Sequence, residues 1–159
     1  MTSPTPPDGL TVRWGTVEDV PRMVELLVHG SLAEGKEDPS DLGPYRAALG
    51  EIEAAPGGML VAGLGGEVVG VCQLIVFCHL QDRGGRCAQI ESVHVHPDRR
   101  GYGIGRALMR EAIDRARALG CYRVQLTSNT ARTDAHRFYE ALGFVRSHHG
   151  FKLALTLAP

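Results

Sequence analysis

The spacing of apolar residues predicts a strand and two helices over the first third of the chain. Alternation over 10–16 predicts a strand, and helical spacing predicts a helix over 16–32 with Thr16 as its N-cap. A shorter helix is expected over 44–55, where Pro56 and two glycines end it. The apolar face expected for the first helix consists of Val20, Met23, Val24, Leu27 and Val28.

The middle of the chain has the pattern of a β-hairpin followed by a strand and a long helix. Two apolar runs over 59–80 flank Gly65-Gly66, a dipeptide suited to the positive φ angles of a tight turn. Residues 87–97 form the next predicted strand, and an amphipathic helix is expected over about 103–119. Its expected buried stripe consists of Ile104, Leu108, Ala112, Ala116 and Leu119.

The last part of the chain completes the pattern of an α/β fold. A strand is predicted over 121–129, a helix over 133–143, and one or two strands over 144–158. The order of elements is neither a strict β-α-β repeat nor all strands, so it favours a central mixed sheet with helices on both faces. We expect one domain over 9–159 after a disordered tail over 1–8.

Composition and charge narrow the class of partner. The chain has 159 residues, of which 43% are hydrophobic and 22% charged, as in ordinary globular domains. The net charge of −1, without long basic or acidic blocks, argues against nucleic acid or an anionic membrane as the main partner. No apolar run reaches the ~20 residues of a membrane span, and the first residues lack a signal-peptide pattern, so a cytoplasmic protein is expected.

The four cysteines predict free thiols rather than a metal site. No pair has the spacing Cys-x-x-Cys, and partly buried free thiols are the expected state in such a protein. Cys72, Cys78, His79 and Cys87 lie near one another in the sequence, but their spacing fits no common zinc pattern. No metal is therefore expected.

The stretch HPDRRGYGIGRA, residues 96–107, concentrates three glycines between a predicted strand and a predicted helix. A dinucleotide site needs G-x-G-x-x-G after a first strand and an acidic residue about 20 positions on, and neither is present. A P-loop needs G-x-x-x-x-G-K-[ST], which is absent as well. From the spacing alone, a glycine-rich connection that binds nothing stays open.

The setting of these glycines favours an anionic ligand. Backbone N–H groups at the start of a helix, together with the positive end of the helix dipole, attract phosphate groups. Arg99, Arg100 and Arg106 add positive charge at the same place. The residues therefore predict a ligand that carries a diphosphate, of a kind that they do not specify.

Two linked motifs resemble the GNAT superfamily of N-acetyltransferases. VHVHPDRRGYGIGRALMREAIDRARALG is similar to the acyl-CoA motif of that superfamily, whose core [R/Q]-x-x-G-x-[G/A] matches Arg100, Gly103 and Gly105. LTSNTARTDAHRFYEALGF, which follows after a short strand, resembles the second motif of the same superfamily. The resemblance implies acetyl-CoA as co-substrate and a GNAT-like α/β fold with a mixed, mostly antiparallel sheet.

The resemblance also implies which residues contact the co-substrate. The backbone of residues 93–95 would meet the acetyl and pantetheine part, and a bulge in this strand would open a gap beside the next strand for that arm. Arg132 would either meet a phosphate or stay in solvent. The implied contacts are Val93, His94, Val95, Arg99, Arg100, Gly101, Tyr102, Gly103, Ile104, Gly105, Arg106, Asn129, Arg132, Ala135 and Phe138.

Transfer of an acetyl group to an amine needs a base for the amine and an acid for the departing thiolate. Glu91, a carboxylate within the strand segment QIESV, is the candidate base, acting directly or through a water. The alternative is an exposed or substrate-positioning glutamate. Tyr139 matches the Phe-Tyr pair of the second motif and is the candidate acid, with a half-buried aromatic as the alternative. A main-chain N–H near Val95 is the expected oxyanion donor.

The histidines are expected to be structural or exposed rather than catalytic. His94 and His96 share one side of the predicted strand and read as surface residues. His79 is the weak candidate for contact with the acceptor, together with Glu91.

The resemblance favours a small molecule as the acceptor. Within the superfamily, the motifs look most like small-molecule acetyltransferases, including the aminoalkylphosphonate N-acetyltransferases, so a primary amine is the expected acceptor. No matching signature is present over 30–58, where such proteins shape the acceptor site. A protein N-terminus or lysine is the alternative acceptor, and a non-catalytic acyl-CoA-binding sensor is the alternative function. Resembling proteins are often homodimers, so a homodimer is the candidate assembly.

Overall fold

The computed structural model describes residues 4–31 and 35–155. The chain divides after Leu126 into two compact units. The first unit contains a β-sheet and most of the helices, and the second contains one helix. The strands of the first unit are β1 (Thr11–Trp14), β2 (Gly57–Leu64), β3 (Glu67–Cys78), β4 (Arg86–Val95) and β5 (Cys121–Leu126). The helices are α1 (Val20–Gly30), α2 (Gly43–Glu53), a single turn α3 (Gln81–Gly84), α4 (Ile104–Ala118) and, in the second unit, α5 (Thr133–Glu140).

The sheet has the mixed, mostly antiparallel topology that the resemblance implied. Its strands lie in the order β1-β2-β3-β4-β5, and every neighbouring pair is antiparallel except the parallel pair β4–β5. A Cβ on Gly70 of β3 would lie 2.9 Å from Leu108 of α4, whereas the next residue, Val71, packs in the cluster that contains α1 and α2. Because successive strand residues face opposite ways, α4 covers one face and α1 and α2 cover the other.

The predicted hairpin is confirmed by the turn between β2 and β3. Gly65 and Gly66 connect the two strands with φ angles of +61° and +84°. Two consecutive positive φ angles give a turn whose twist matches that of the flanking strands, and glycine adopts them without steric cost. The dipeptide therefore fixes the register in which Leu64 opposes Glu67.

The buried face of α1 differs in part from the prediction. Val20, Met23 and Val24 are buried as expected, but Val28 is 41% exposed and Leu26 is buried in its place. The last residue of the helix, Gly30, is also buried. The buried arc is rotated toward Leu26 and Gly30 because the end of α1 packs onto β4, a contact that helical spacing alone does not encode.

The long helix α4 agrees closely with its predicted stripe. Ile104, Leu108, Ala112 and Ala116 are fully buried, with Met109 beside them, whereas Leu119 is half-buried just after the helix end. Gly120 follows with φ +76°, as expected for a glycine that ends a helix.

The predicted C-terminal strands are wrong over residues 144–155, the described part of that segment. Residues 145–155 contain no strand, and Phe151, Leu153 and Leu155 are 94%, 85% and 78% exposed. Residues 156–158 lie outside the described part of the chain. A segment with alternating apolar residues forms a strand only if a neighbouring strand pairs with its backbone. No strand pairs with the described residues of this segment. In the same unit, α5 ends at Glu140, before the predicted residue 143.

Over the described ranges, no helix is long and apolar enough to cross a membrane.

An ion pair between a half-exposed arginine and a buried aspartate connects β1 to the start of α1. The guanidinium of Arg13 donates to both carboxylate oxygens of Asp19 at 2.6 and 2.8 Å, and the Thr16 amide donates to the same carboxylate at 2.8 Å. Asp19 is only 8% exposed. The hydrogen bonds from Arg13 hold the pKa of Asp19 below its usual value, against the opposing effect of burial.

We predict that Asp19→Asn lowers the free energy of unfolding at pH 7 by about 1–3 kcal/mol, because a charge-assisted pair is lost. A depressed carboxyl pKa stabilises the fold above the unfolded value near 4, and this stabilisation is lost as the pH falls through the folded value. Urea unfolding from pH 7 to pH 3 measures both effects. The gap between wild type and Asp19→Asn should close at low pH, and a gap of constant size would contradict the assignment.

Candidate cofactor and catalytic site

The two parallel strands β4 and β5 separate in the middle of β4. Their last paired residues are Ile90 and Leu126, whereas β4 continues to Val95 with β3 as its partner on the other side. Glu91 is therefore the first residue of β4 beyond the pairing with β5. From Glu91 to Val95, one edge of β4 has no strand beside it in the first unit.

A β-bulge distorts β4 immediately after Glu91. Gln73 of β3 pairs with Glu91 and Val71 pairs with His94, so two residues of β4 stand where β3 has one. Ser92 has φ +53°, a left-handed conformation that is uncommon outside glycine. The bulge implied by the resemblance is therefore present, and it re-aims the backbone of residues 92–95 along the open edge.

The glycine-rich loop leads from β4 into α4 with a row of unused amide groups. Gly101 and Gly103 have φ angles of +83° and +78°, and Gly103 caps the N-terminus of α4. The first backbone hydrogen bond of the helix comes from the Ala107 amide to the Gly103 carbonyl at 3.0 Å. Among the hydrogen bonds of residues 4–31 and 35–155, none uses the N–H of any residue from 101 to 106. Six successive donors at the positive end of a 15-residue helix form an anion-binding arrangement.

The bare backbone at Gly103 also accommodates the N-terminal segment. A Cβ at this position would lie 2.8 Å from the Pro4 carbonyl oxygen and 3.1 Å from the Pro6 nitrogen. No atom lies within 4 Å of the equivalent point on Gly101. Within the predicted tail, Pro4 and Pro6 thus lie against this loop. Residues 1–3 lie outside the described part of the chain.

The three predicted arginines differ in whether their side chains are already hydrogen-bonded. Arg100 donates from Nε to the carbonyl oxygen of Val95 at 3.1 Å and so connects the loop to the end of β4. The side chains of Arg99 and Arg106 make no hydrogen bond or ion pair with another described residue, which leaves both charges available to a ligand. Tyr102, between the glycines, is 60% exposed.

Two glutamines adjoin Glu91 on its face of the sheet. Its half-buried carboxylate accepts a hydrogen bond from Gln89 Nε2 at 2.5 Å, and Gln73 stands directly across on β3. Ile90, the apolar neighbour in the sequence, is buried on the opposite face under α4. Gln89 is not among the predicted site residues, although its i, i+2 spacing to Glu91 places both side chains on one face of a strand.

The second unit contains the remaining predicted contacts. Tyr139 is half-buried, with its ring centroid 5.3 Å from that of Phe138 and 6.0 Å from that of Phe144. The Asn129 side chain accepts from the Ala131 amide at 2.9 Å, and its carbonyl oxygen lies 2.9 Å from Nε2 of His136. Asn129 therefore shapes the loop before α5. Arg132 and Ala135 lie at the start of that helix and are half-buried.

His94 of β4 and His96, which follows the strand, pack against the end of α1 rather than lying on the surface. The His94 ring occupies the position of a Cβ on Gly30, which would stand 1.8 Å from its Nδ1. The ring of His96 meets that of His29 edge to face, with centroids 5.4 Å apart. Only a glycine fits at the end of α1, because the His94 ring occupies the space of a side chain there. The same ring covers Gly30, which explains why Gly30 is buried.

His79 is not brought near Glu91. It lies six residues along β3 from Gln73, the partner of Glu91, so the two are separated by roughly 20 Å at ~3.3 Å per residue. There His79 Nε2 lies 2.9 Å from the hydroxyl of Tyr122, and the two rings stack. His79 and Tyr122 therefore lie at the end of the sheet that is remote from Glu91.

The thiols of the first unit lie within the sheet or at its rim. Cys72 and Cys87 are buried, and burial raises the pKa of Cys72 to about 12. No group of three or more histidine, cysteine or acidic side chains within the described ranges is arranged to hold a metal ion.

With the separated strands, the bulge and the amide loop in place, the fold and the sequence identify the class of protein. Residues 22–144 match the Acetyltransferase (GNAT) family, and the chain belongs to that family. The resemblance inferred from the two motifs is thereby confirmed.

Particular relatives are similar over different extents. The aminoalkylphosphonate N-acetyltransferase of Salmonella typhimurium is 39% identical over 90 residues, which are 57% of this chain and 58% of that enzyme. A solved structure of a transcriptional regulator from Bacillus halodurans is 38% identical, with a TM-score of 0.86 over 92% of this chain and 99% of that one. An acetyltransferase from Trypanosoma brucei superposes with a TM-score of 0.76 at 28% identity, over 92% of this chain and 99% of that one. The chain thus spans little more than half the length of the curated relative.

Two glycine substitutions test the geometry of the loop. Gly101→Ala should lower the free energy of unfolding by about 1–2 kcal/mol, the cost of a left-handed backbone for a residue with a Cβ. Gly103→Ala should cost more, because its Cβ must also displace the Pro4 carbonyl at 2.8 Å. Thermal unfolding of both variants measures the difference. Equal losses would show that the N-terminal segment does not pack on Gly103.

Proposed function

We propose that the protein is an acetyl-CoA-dependent N-acetyltransferase that acts on a primary amine of a small molecule. One observation carries the proposal. β4 separates from β5 at Glu91, and ten residues later the chain enters a loop whose six successive amides make no hydrogen bond with a described residue. A candidate base thus stands on the same strand that leads directly to an anion-binding helix start. Membership of the GNAT family supports acetyl transfer as the reaction.

The loop residues fit the pyrophosphate of acetyl-CoA. The N–H groups of residues 101–106 would donate to phosphate oxygens, and the bare backbone of Gly101 lets those oxygens approach. Arg99 and Arg106 would contribute charge to the same phosphates. The open edge of β4 over residues 92–95 offers backbone groups for the pantetheine amides, with the N–H near Val95 as oxyanion donor.

Acetyl-CoA supplies the thioester whose carbonyl carbon the amine attacks. A free amine with a pKa near 10 is mostly protonated at pH 7, so it must lose a proton before it becomes a nucleophile. The carboxylate of Glu91 would accept that proton, directly or through a water. Tyr139 would donate the proton that the departing sulfur receives, and the half-buried position of its ring on α5 is compatible with this role.

The acceptor is proposed from the relatives rather than from a pocket. The Salmonella relative is named as an aminoalkylphosphonate N-acetyltransferase, and by analogy with it we take a small primary amine as the acceptor. Residues 30–58, where the acceptor would be selected, include α2 and no sequence signature for a phosphonate. The proposal therefore extends to small primary amines and not to one compound.

We expect purified protein to release CoA thiol from acetyl-CoA when small primary amines are added, with the N-acetylated amine detected by mass spectrometry. Peptides with a free N-terminus or a lysine form the second arm of the panel. Turnover with peptides alone would replace the small-molecule acceptor by a protein. Tight binding of CoA without acetylation of any amine or peptide would replace the enzyme by an acyl-CoA sensor.

Substitutions at the two candidate groups test their roles. Glu91→Gln should lower kcat/KM for the amine by about 10²–10⁴-fold, because a general base contributes about that much. Tyr139→Phe should lower kcat by a comparable factor with little change in the affinity for acetyl-CoA. Wild-type values of kcat for either variant would remove that residue from the mechanism.

A further inference from the structure

A chain of side-chain hydrogen bonds crosses from β5 to β4 and ends on Glu91. Gln125 donates from Nε2 to Oε1 of Gln89 at 3.1 Å, and Gln89 donates from Nε2 to Oε1 of Glu91 at 2.5 Å. Gln89 and Gln125 are direct partners in the parallel ladder, one pair before the strands separate. The two amides therefore join the strands at the last position on this face where they still run side by side.

The charge of Glu91 determines the direction of the whole chain. An ionised carboxylate only accepts hydrogen bonds, so Gln89 must turn its NH₂ group toward Glu91 and its carbonyl oxygen toward β5. That oxygen needs a donor, so Gln125 must in turn present its own NH₂ group. The Gln125 carbonyl oxygen then faces the buried thiol of Cys87 at 3.6 Å, although this thiol lies equally close to the Ala88 carbonyl.

The far end of the chain begins at a cation. Nε of Arg123 donates to the sulfur of Cys87 at 3.5 Å. From Arg123 on β5 to Glu91 on β4, each group can thus donate to the next, with a positive group at one end and a negative group at the other. Of these groups Cys87 is buried, Gln125, Gln89 and Glu91 are half-buried, and Arg123 is exposed. Aligned hydrogen bonds of this kind polarise one another.

We propose that Gln89 is the positioning residue of Glu91, and that Gln125 sets its orientation. This inference rests on the proposed function, in which Glu91 accepts the proton of the amine. With Oε1 held by Gln89, the carboxylate has a fixed plane and Oε2 is the oxygen that receives the proton. Gln89 makes this contact one pair before β4 and β5 separate, so the carboxylate is held where the open edge of β4 begins.

Gln73 provides a matched control. It is the direct β3 partner of Glu91 and is half-buried on the same face, as is Gln89. No hydrogen bond of its side chain occurs within the described part of the chain. A substitution there changes the surroundings of Glu91 without removing a donor from it.

The kinetic test compares Gln89→Met, Gln125→Glu and Gln73→Met. Gln89→Met should lower kcat about tenfold, the factor that corresponds to one hydrogen bond, while KM for acetyl-CoA stays unchanged. Gln125→Glu keeps the shape of the side chain but donates nothing, so Gln89 turns its NH₂ group away from Glu91 and kcat should fall by a similar factor. Gln73→Met should leave kcat within about twofold. Wild-type kcat in both Gln89→Met and Gln125→Glu, with Glu91→Gln inactive, would overturn the proposal.

A double variant separates positioning from packing. If Gln89 acts through Glu91, adding Gln89→Met to Glu91→Gln should lower kcat no further. A further tenfold loss would show that Gln89 acts on structure or on another group.

NMR of the ¹⁵N-labelled protein tests the hydrogen bond without turnover. The side-chain NH₂ protons of Gln89 should lie downfield of those of Gln73 and move upfield in Glu91→Gln, while the Gln73 signals stay in place. If the chemical shifts of the Gln89 NH₂ protons are unchanged in Glu91→Gln, the proposal is overturned whatever the kinetics show. A responsive Gln89 signal with full activity of Glu91→Gln would instead refute the base in the proposed function, and with it the positioning role.

Discussion

Two parallel strands share hydrogen bonds only while they run side by side, and in this protein β4 and β5 stop doing so after Ile90 and Leu126. A strand edge buried in a sheet has no spare donors or acceptors, whereas an edge that loses its neighbour exposes them. Here the edge without a neighbouring strand in the first unit belongs to residues 91–95, which also contain the bulge at Ser92. The candidate base, the backbone groups for a ligand and the approach to the glycine loop all derive from this separation.

The rest of the first unit holds that separation in place. β3 remains paired with β4 as far as Val95, so the strand stays extended while its other edge is open. α4 packs on one face through Ile104 and Leu108, and its N-terminus is thereby fixed just beyond the end of β4. On the other face, the end of α1 accepts the ring of His94 over Gly30, which anchors the distorted part of β4.

The sequence was informative where local chemistry decides the outcome. The hairpin at Gly65-Gly66 and the stripe of α4 follow from turn geometry and helical spacing, and both are observed. The buried face of α1 was only partly predicted, because its rotation depends on His94, which is distant in sequence. Alternation over 144–158 was misleading, since a strand needs a partner that the pattern cannot supply.

The candidate site divides in the same way. The glycines and arginines of the loop could be found from their spacing, and Glu91 from its place in the strand. The amides of Gln89 and Gln125 could not, because their contact depends on the register of two strands about 35 residues apart in sequence. Register is set by the packing of whole strands, so polar partners across a ladder are visible only in three dimensions.

The central claim is that the loop and the open edge of β4 together bind acetyl-CoA. The most direct test is a titration of ¹⁵N-labelled protein with CoA, followed through the backbone amide signals. The account predicts that the largest shifts occur at residues 101–106 and along 92–95. Saturating shifts confined to other parts of the chain, or none at millimolar CoA, would contradict it.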